Sequence, residues 1–117
     1  MQMKFELILA IVNAGFEDAV MEAAQQCGIR GGTVLSARGT AKAEAEKAFG
    51  IVVHPDKSIV MMVATKTARD EALKVLYQSM GKTTEANGIV FSLPVDEVSE
   101  NLLRQLEPES ITTEEEE

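Results

Sequence analysis

The stretch Ser58-Ile-Val-Met-Met-Val-Ala-Thr65 is almost wholly apolar. A short run of this kind reads as a strand, and a strand apolar at consecutive positions must be covered on both faces. It is therefore expected to lie in the centre of a sheet. On its C-terminal side, Thr67 is placed to cap a helix with Asp70 at the third position, and Leu73, Leu76, Tyr77 and Met80 form that helix's expected buried stripe. Gly81 ends the helix. Gly88-Ile-Val-Phe-Ser-Leu93 then alternates into another strand, closed by Pro94, which has no N–H to give to a ladder. A short C-terminal helix is expected near 95–106.

The N-terminal half repeats this order. Residues 3–12 place Phe5, Leu7, Leu9 and Ile11 on one side at period two and Ile8, Ala10 and Val12 on the other, a second strand apolar on both faces. Gly15 breaks it. Phe16, Ala19, Val20, Ala23, Ala24 and Cys27 then recur at helical spacing over 15–27, with Glu17 and Asp18 near the positive end of the helix dipole and Gly28 as a left-handed stop. Thr33-Val-Leu-Ser-Ala37 is a short strand. Ala41, Ala45, Ala48 and Phe49 fit a short helix or ordered loop after it, with Lys42 and Glu46 four apart.

Gly32-Thr-Val-Leu-Ser36 is echoed by Gly88-Ile-Val-Phe-Ser92, so the chain reads as a duplicated half-domain. The expected fold is α+β: a ferredoxin-like βαββαβ sandwich whose two main helices cover one face of an antiparallel sheet. Two helices leave the other face of the apolar strands bare, which implies that sheets pack on sheets in a closed cyclic oligomer.

Residues 1–106 form the single domain that 117 residues allow; 107–117, ending in Glu114 to Glu117, read as an acidic disordered tail. With 45% hydrophobic and 26% charged residues the composition is that of a globular chain, and no apolar run approaches the roughly 18 residues of a membrane span. A cytoplasmic protein without membrane insertion is expected. The net charge of −8 disfavours nucleic-acid partners. One Cys and one His exclude an intrachain disulfide and a zinc constellation. Cys27 reads as a packing residue, and His54, beside Pro55-Asp56, as part of a surface turn.

No nucleophile beside a base, apolar carboxylate pair or Walker P-loop occurs, so no catalytic residue and no metal ligand is assigned. Two glycine-containing segments remain. Gly31-Gly-Thr-Val-Leu-Ser-Ala-Arg-Gly-Thr40 offers backbone N–H groups and a guanidinium suited to phosphate, and Gly81-Lys-Thr-Thr-Glu-Ala-Asn-Gly88 is a polar loop carrying a cation. The candidate ligand-binding residues are Thr33, Arg38, Gly39, Thr40, Gly81, Lys82, Asn87 and Gly88. On these residues alone, ligand loops and plain connections both remain open.

The same segments, Gly-Gly-Thr-Val-x-x-Ala-Arg-Gly-Thr at 31–40, Phe-Gly-Ile at 49–51 and Gly-Ile-Val-Phe-Ser-Leu-Pro-Val-Asp at 88–96, resemble a divergent branch of the PII family of nitrogen regulatory proteins. The resemblance spans roughly 3–98. It implies a ferredoxin-like homotrimer that binds an adenine nucleotide (ATP, ADP or AMP) or another small anionic effector in clefts between subunits, with no cofactor and no enzymatic activity. By the same resemblance, Thr33 and Arg38-Gly39 fall where the second strand enters the family's T-loop, and Gly81-Lys82 and Gly88 fall on its phosphate-cradling B-loop. The loop of 39–57 would then regulate a target, a membrane transporter or a metabolic enzyme. Residues 39–57 are shorter than a full T-loop and lack its tyrosine signature, so control by uridylylation is not expected. The family's B-loop Gly-Asp-Gly-Lys is here Glu85-Ala-Asn-Gly88 followed by Ile89, and Arg104 is the only arginine after the last strand. Two fold relatives are alternatives: a CutA-type metal-associated trimer, which would want more His and Cys, and an acylphosphatase-like enzyme using Arg38 and Asn87.

Overall fold

The structure, a computed structural model, describes residues 5–40 and 56–102. Its elements are β1 (Phe5–Asn13), α1 (Glu17–Gln25), β2 (Thr33–Arg38), β3 (Asp56–Thr65), α2 (Lys66–Met80) and β4 (Ile89–Val95). The strands form one sheet in the order β2-β3-β1-β4, antiparallel throughout. The βαββαβ order expected from the duplicated pattern is borne out, and the two strands apolar on both faces occupy the two central places.

Period-two alternation decides what each face buries. Ile8, Ala10 and Val12 of β1 and Val60, Met62 and Ala64 of β3 point toward the helices, where Val20, Ala23 and Ala24 of α1 and Ala72, Leu76 and Met80 of α2 close over them. Full burial of side chains such as Ile8, Met62 and Leu76 contributes about 1.5–3 kcal/mol each. One carboxylate enters this layer. Glu6 is only 4% exposed and pairs with Arg69 Nη1 at 3.0 Å, while Ser92 Oγ donates to the same oxygen at 3.4 Å.

Among the described residues no element covers the other face. Register lines up Leu35, Ile59, Ile11 and Ile89 across all four strands, then Thr33, Met61, Leu9 and Phe91, then Val63, Leu7 and Leu93 across three. Leu35, Ile89, Phe91 and Leu93 are exposed. This is the bare apolar face that two helices on one side leave behind.

Several local expectations are corrected. The cap of α2 is Thr65, not Thr67: Thr65 is extended and its hydroxyl accepts from Ala68 N at 3.4 Å. The helix thus begins directly at the end of β3. The core stripe of α2 is Ala72, Leu76 and Met80, four apart, and Tyr77 faces outward, 56% exposed. Pro94 does not close β4, which runs on to Val95. A proline fits there because β4 is an edge strand, with no neighbour on its outer side to require an N–H. The C-terminal helix expected near 95–106 starts later: Val95 belongs to β4, 96–99 are not helical, and 100–102 are helical. The expected helix in the 40s, His54, the rest of the C-terminal helix and the acidic tail lie outside the described residues. Gly28, at φ +86°, adopts the left-handed conformation expected of a helix stop.

Candidate functional site

One end of the sheet collects the elements that matter. Arg38 closes β2 opposite Asp56, Lys57 pairs with Asn13 at the end of β1, and Ile89 opens β4 opposite Ile11. The α2–β4 loop, 81–88, lies at the same end. Because β2 and β4 are the two edges of the sheet, Arg38 and this loop stand three strand spacings apart, roughly 14 Å. Within one protomer they do not meet. Thr33 is elsewhere: it opens β2, five residues before Arg38, paired with Met61 in the middle of β3. Gly39 and Thr40 follow Arg38 directly as the chain leaves the sheet.

The 81–88 loop is built from successive tight turns. Thr84 N donates to Gly81 O at 3.0 Å and Thr84 Oγ1 donates to the same carbonyl at 2.7 Å; Asn87 N donates to Thr84 O at 3.0 Å, and Gly88 N to Met80 O at 2.6 Å. Asn87 adopts φ +48°, a left-handed conformation that asparagine tolerates better than most residues. Gly88 is buried, and a Cβ there would overlap the Met80 carbonyl and reach Val12 Cγ1 at 3.0 Å. Gly81 is likewise filled by Tyr77, whose Cδ1 would lie 3.0 Å from an added Cβ. These two glycines therefore have packing reasons to be glycine. The exposed part of the loop is available: among the described residues nothing bonds the backbone N–H groups of Lys82, Thr83 and Glu85, and Lys82 is exposed with no partner, whereas Ala86 is buried.

Beneath the loop runs a network that sequence reasoning missed. Asn13 N donates to Ala86 O at 2.8 Å and Asn13 Nδ2 to Glu85 O at 2.9 Å, while Lys57 Nζ donates to Asn13 Oδ1 at 2.6 Å. Beside it, Glu17 Oε1 accepts from Ser58 Oγ and from Gly15 N, the latter at 2.8 Å. The Ser58 hydroxyl and, after it, the Gly15 N–H hold the Glu17 carboxyl below its ordinary range. Asn13, ending a strand between two interrupted patterns, carried no signal except its residue type. An open cleft of about 450 Å³ lies here, lined by Asn13, Ala14, Phe16, Asp56 and Glu85. Its two carboxylates make it, alone, a poor cradle for phosphate.

A smaller cavity of about 90 Å³ occupies the opposite end, between the 28–31 turn, Thr65 and Ala68 of α2, and Leu102. That is well below the roughly 300 Å³ at which pockets begin to enclose a small ligand. Cys27 is partly buried against the core, and burial, with the Glu71 carboxylate second, raises its thiol pKa, which disfavours the thiolate. Among the described residues no group of three or more His, Cys, Asp or Glu is placed to hold a metal, and no helix is long and apolar enough to cross a membrane.

Comparison with known proteins agrees with this architecture. A search of curated proteins returned no match. Among solved structures, the PII protein of Arabidopsis thaliana, crystallised with citrate, superposes with a TM-score of 0.62 at 27% identity, over 83% of this chain and 80% of that one. A functionally unknown protein from Pediococcus pentosaceus shares the fold, with a TM-score of 0.58 at 18% identity over 84% and 98% of the two chains. The family model for the nitrogen regulatory protein P-II matches residues 5–104. A sheet of order β2-β3-β1-β4 with its polar loops gathered at one end is thus joined to a sequence match over nearly the whole domain, and the chain belongs to the nitrogen regulatory protein P-II family.

Proposed function

We propose that this protein is a homotrimeric signalling sensor that binds a small anionic effector, an adenine nucleotide (ATP, ADP or AMP), between subunits. The observation that carries the reading is the 81–88 loop: the unbonded backbone N–H groups of the exposed Lys82, Thr83 and Glu85, with the Lys82 ammonium, at the same end of the sheet as Arg38. Unpaired N–H groups in consecutive turns form a concavity suited to phosphate oxygens, and a guanidinium adds a planar, bidentate contact. Arg38 and Lys82 sit at opposite edges, so a ligand touching both needs a second copy of the chain. The bare apolar face supplies a reason for copies to assemble. Citrate on the Arabidopsis relative, a small polyanion, supports an anionic effector.

Binding is then read out by a protein target, a transporter or a metabolic enzyme, through residues 39–57, which join Arg38 to the start of β3. Coupling requires only that the ligand favour one state of that connection over another. The role is sensing, with no group assigned to catalysis.

Thermal shift against ATP, ADP, AMP, cyclic nucleotides, bicarbonate and citrate tests the ligand class. An effector at a hundred times its Kd stabilises the folded protein by about 2.7 kcal/mol. Arg38→Ala and Lys82→Ala are each expected to weaken nucleotide binding by about 1.5–3 kcal/mol in calorimetry with the fold intact. A nucleotide whose affinity ignores both substitutions refutes this placement of the site, and an absence of any shift with every nucleotide refutes the ligand class.

A further inference from the structure

We infer that Asn13 is a positioning residue that locks the 81–88 loop to the start of β3, so that a change at either is felt at the other. The inference rests on the reading of 81–88 as the effector loop. Its physical basis is that one amide side chain serves both neighbours at once: Nδ2 donates to Glu85 O at 2.9 Å, and Oδ1 accepts from Lys57 Nζ at 2.6 Å. The orientation of the amide is dictated by its partners, since a carbonyl only accepts and an ammonium only donates.

The backbone reinforces both ends of the link. Asn13 N donates to Ala86 O at 2.8 Å, and the next residue, Ala14, donates through N to Asp56 O at 3.1 Å. The end of β1 is therefore bonded on one side to the two residues that begin β3 and on the other to two consecutive carbonyls of the loop. Holding Glu85 O and Ala86 O against Asn13 fixes both peptide planes at the end of the loop, and buried Ala86 anchors it, directly after the exposed Lys82, Thr83 and Glu85. Asn13 thus anchors the end of the loop while gripping the lysine through which the chain from Arg38 re-enters the sheet. Few other side chains fit: aspartate at this position would keep the lysine and repel the carbonyl, and an aliphatic residue would keep neither.

The test is a two-residue cycle in the ligand-free protein, read by hydrogen exchange at the Asn87 and Gly88 amides, which are bonded inside the loop. Asn13→Asp is expected to speed their exchange roughly 3- to 10-fold, as loss of a hydrogen bond of ordinary strength does. Lys57→Met touches no atom of the loop, yet speeds the same amides in the wild-type background and adds nothing in an Asn13→Ala background; Lys57→Arg restores protection. Exchange at Asn87 and Gly88 that is unchanged in Lys57→Met, or that adds independently to Asn13→Ala, overturns the inference. A second arm measures ADP by calorimetry, with Asn13→Asp expected to weaken it several-fold. If wild-type protein binds none of ATP, ADP and AMP, the effector reading fails, and the exchange cycle still decides the link.

Discussion

Met61 and Met62 are neighbours in β3 that face opposite ways, and a glutamate at each separates assembly from folding. Met61 lies in the uncovered row with Thr33, Leu9 and Phe91, partly buried in the protomer, whereas Met62 is 1% exposed beneath the helices. The bare face still holds Leu35, Ile89, Phe91 and Leu93 at 45, 48, 38 and 47% exposure. Full burial of such side chains is worth about 1.5–3 kcal/mol each, so covering what remains of these four contributes roughly 3–5 kcal/mol per protomer to assembly. An unpaired carboxylate enclosed in that interface costs about 3 kcal/mol or more, at least a hundredfold in association. Met61→Glu is therefore expected to give a folded monomer, its carboxylate remaining hydrated on the open face. Met62→Glu buries the same charge inside the protomer, where the cost is set against a total stability of about 5–15 kcal/mol, and is expected to unfold or severely destabilise the chain. Light scattering gives the mass and circular dichroism the fold. A Met61→Glu protein that keeps the wild-type oligomeric mass, or a wild type that is monomeric at micromolar concentration, refutes the reasoning.

Two further outcomes follow from local geometry. Gly88→Ala forces a Cβ against the Met80 carbonyl and Val12, and is expected to cost about 1–3 kcal/mol in thermal or denaturant unfolding; unchanged stability would show that the loop is not held against β1. The Glu17 carboxyl titrates below its ordinary range in the folded protein, so its contribution is present above the unfolded value and is lost as pH falls through the lower folded one. Glu17→Gln is expected to flatten that part of the acid limb of the stability profile, and an acid limb of unchanged slope would remove Ser58 and Gly15 as its cause.

Strand order was legible because burial on both faces leaves a direct mark on sequence: β1 and β3 lack the polar alternation of a half-covered strand, and both are central. The bare face was legible for the same reason. Helix phase was less so, since Thr65 and Thr67 are equally good caps by type and only the end of β3 selects between them. Tyr77 faces outward because the sheet meets the Ala72, Leu76 and Met80 stripe, although as a residue four from Leu73 it reads as core. Pro94 misled because a proline closes an interior strand but is tolerated on an edge, and edge position belongs to topology. At the site, residue types marked the two loops. The link through Asn13 was invisible, because hydrogen bonds from one asparagine to Lys57 and Glu85 join residues 44 and 72 positions away.

That separation also bears on where an effector can bind. Arg38 and Lys82 are the exposed cations of the proposed site, yet one protomer holds them on opposite edges, and the cleft between carries Asp56 and Glu85. An anion that reached both cations of one protomer would cross the cleft's carboxylates, which repel it, whereas the β2 end of one copy brought against the β4 end of another would join the two cations without them. A heterologous contact of that kind closes into a ring when its rotation permits, and each copy then lends half of every site. Binding and assembly are linked in such a design: a ligand held only by the assembled form stabilises the assembly, and the isolated protomer lacks the site. Met61→Glu tests this away from the site itself, because Met61 sits mid-strand on the open face while Arg38, Lys82 and the 81–88 loop keep their sequence and fold. The monomer it yields is expected to bind ADP at least a hundredfold more weakly than the wild type in calorimetry at equal protomer concentration. Wild-type affinity in a proven monomer would place the whole site within one chain and leave the apolar face to some other purpose.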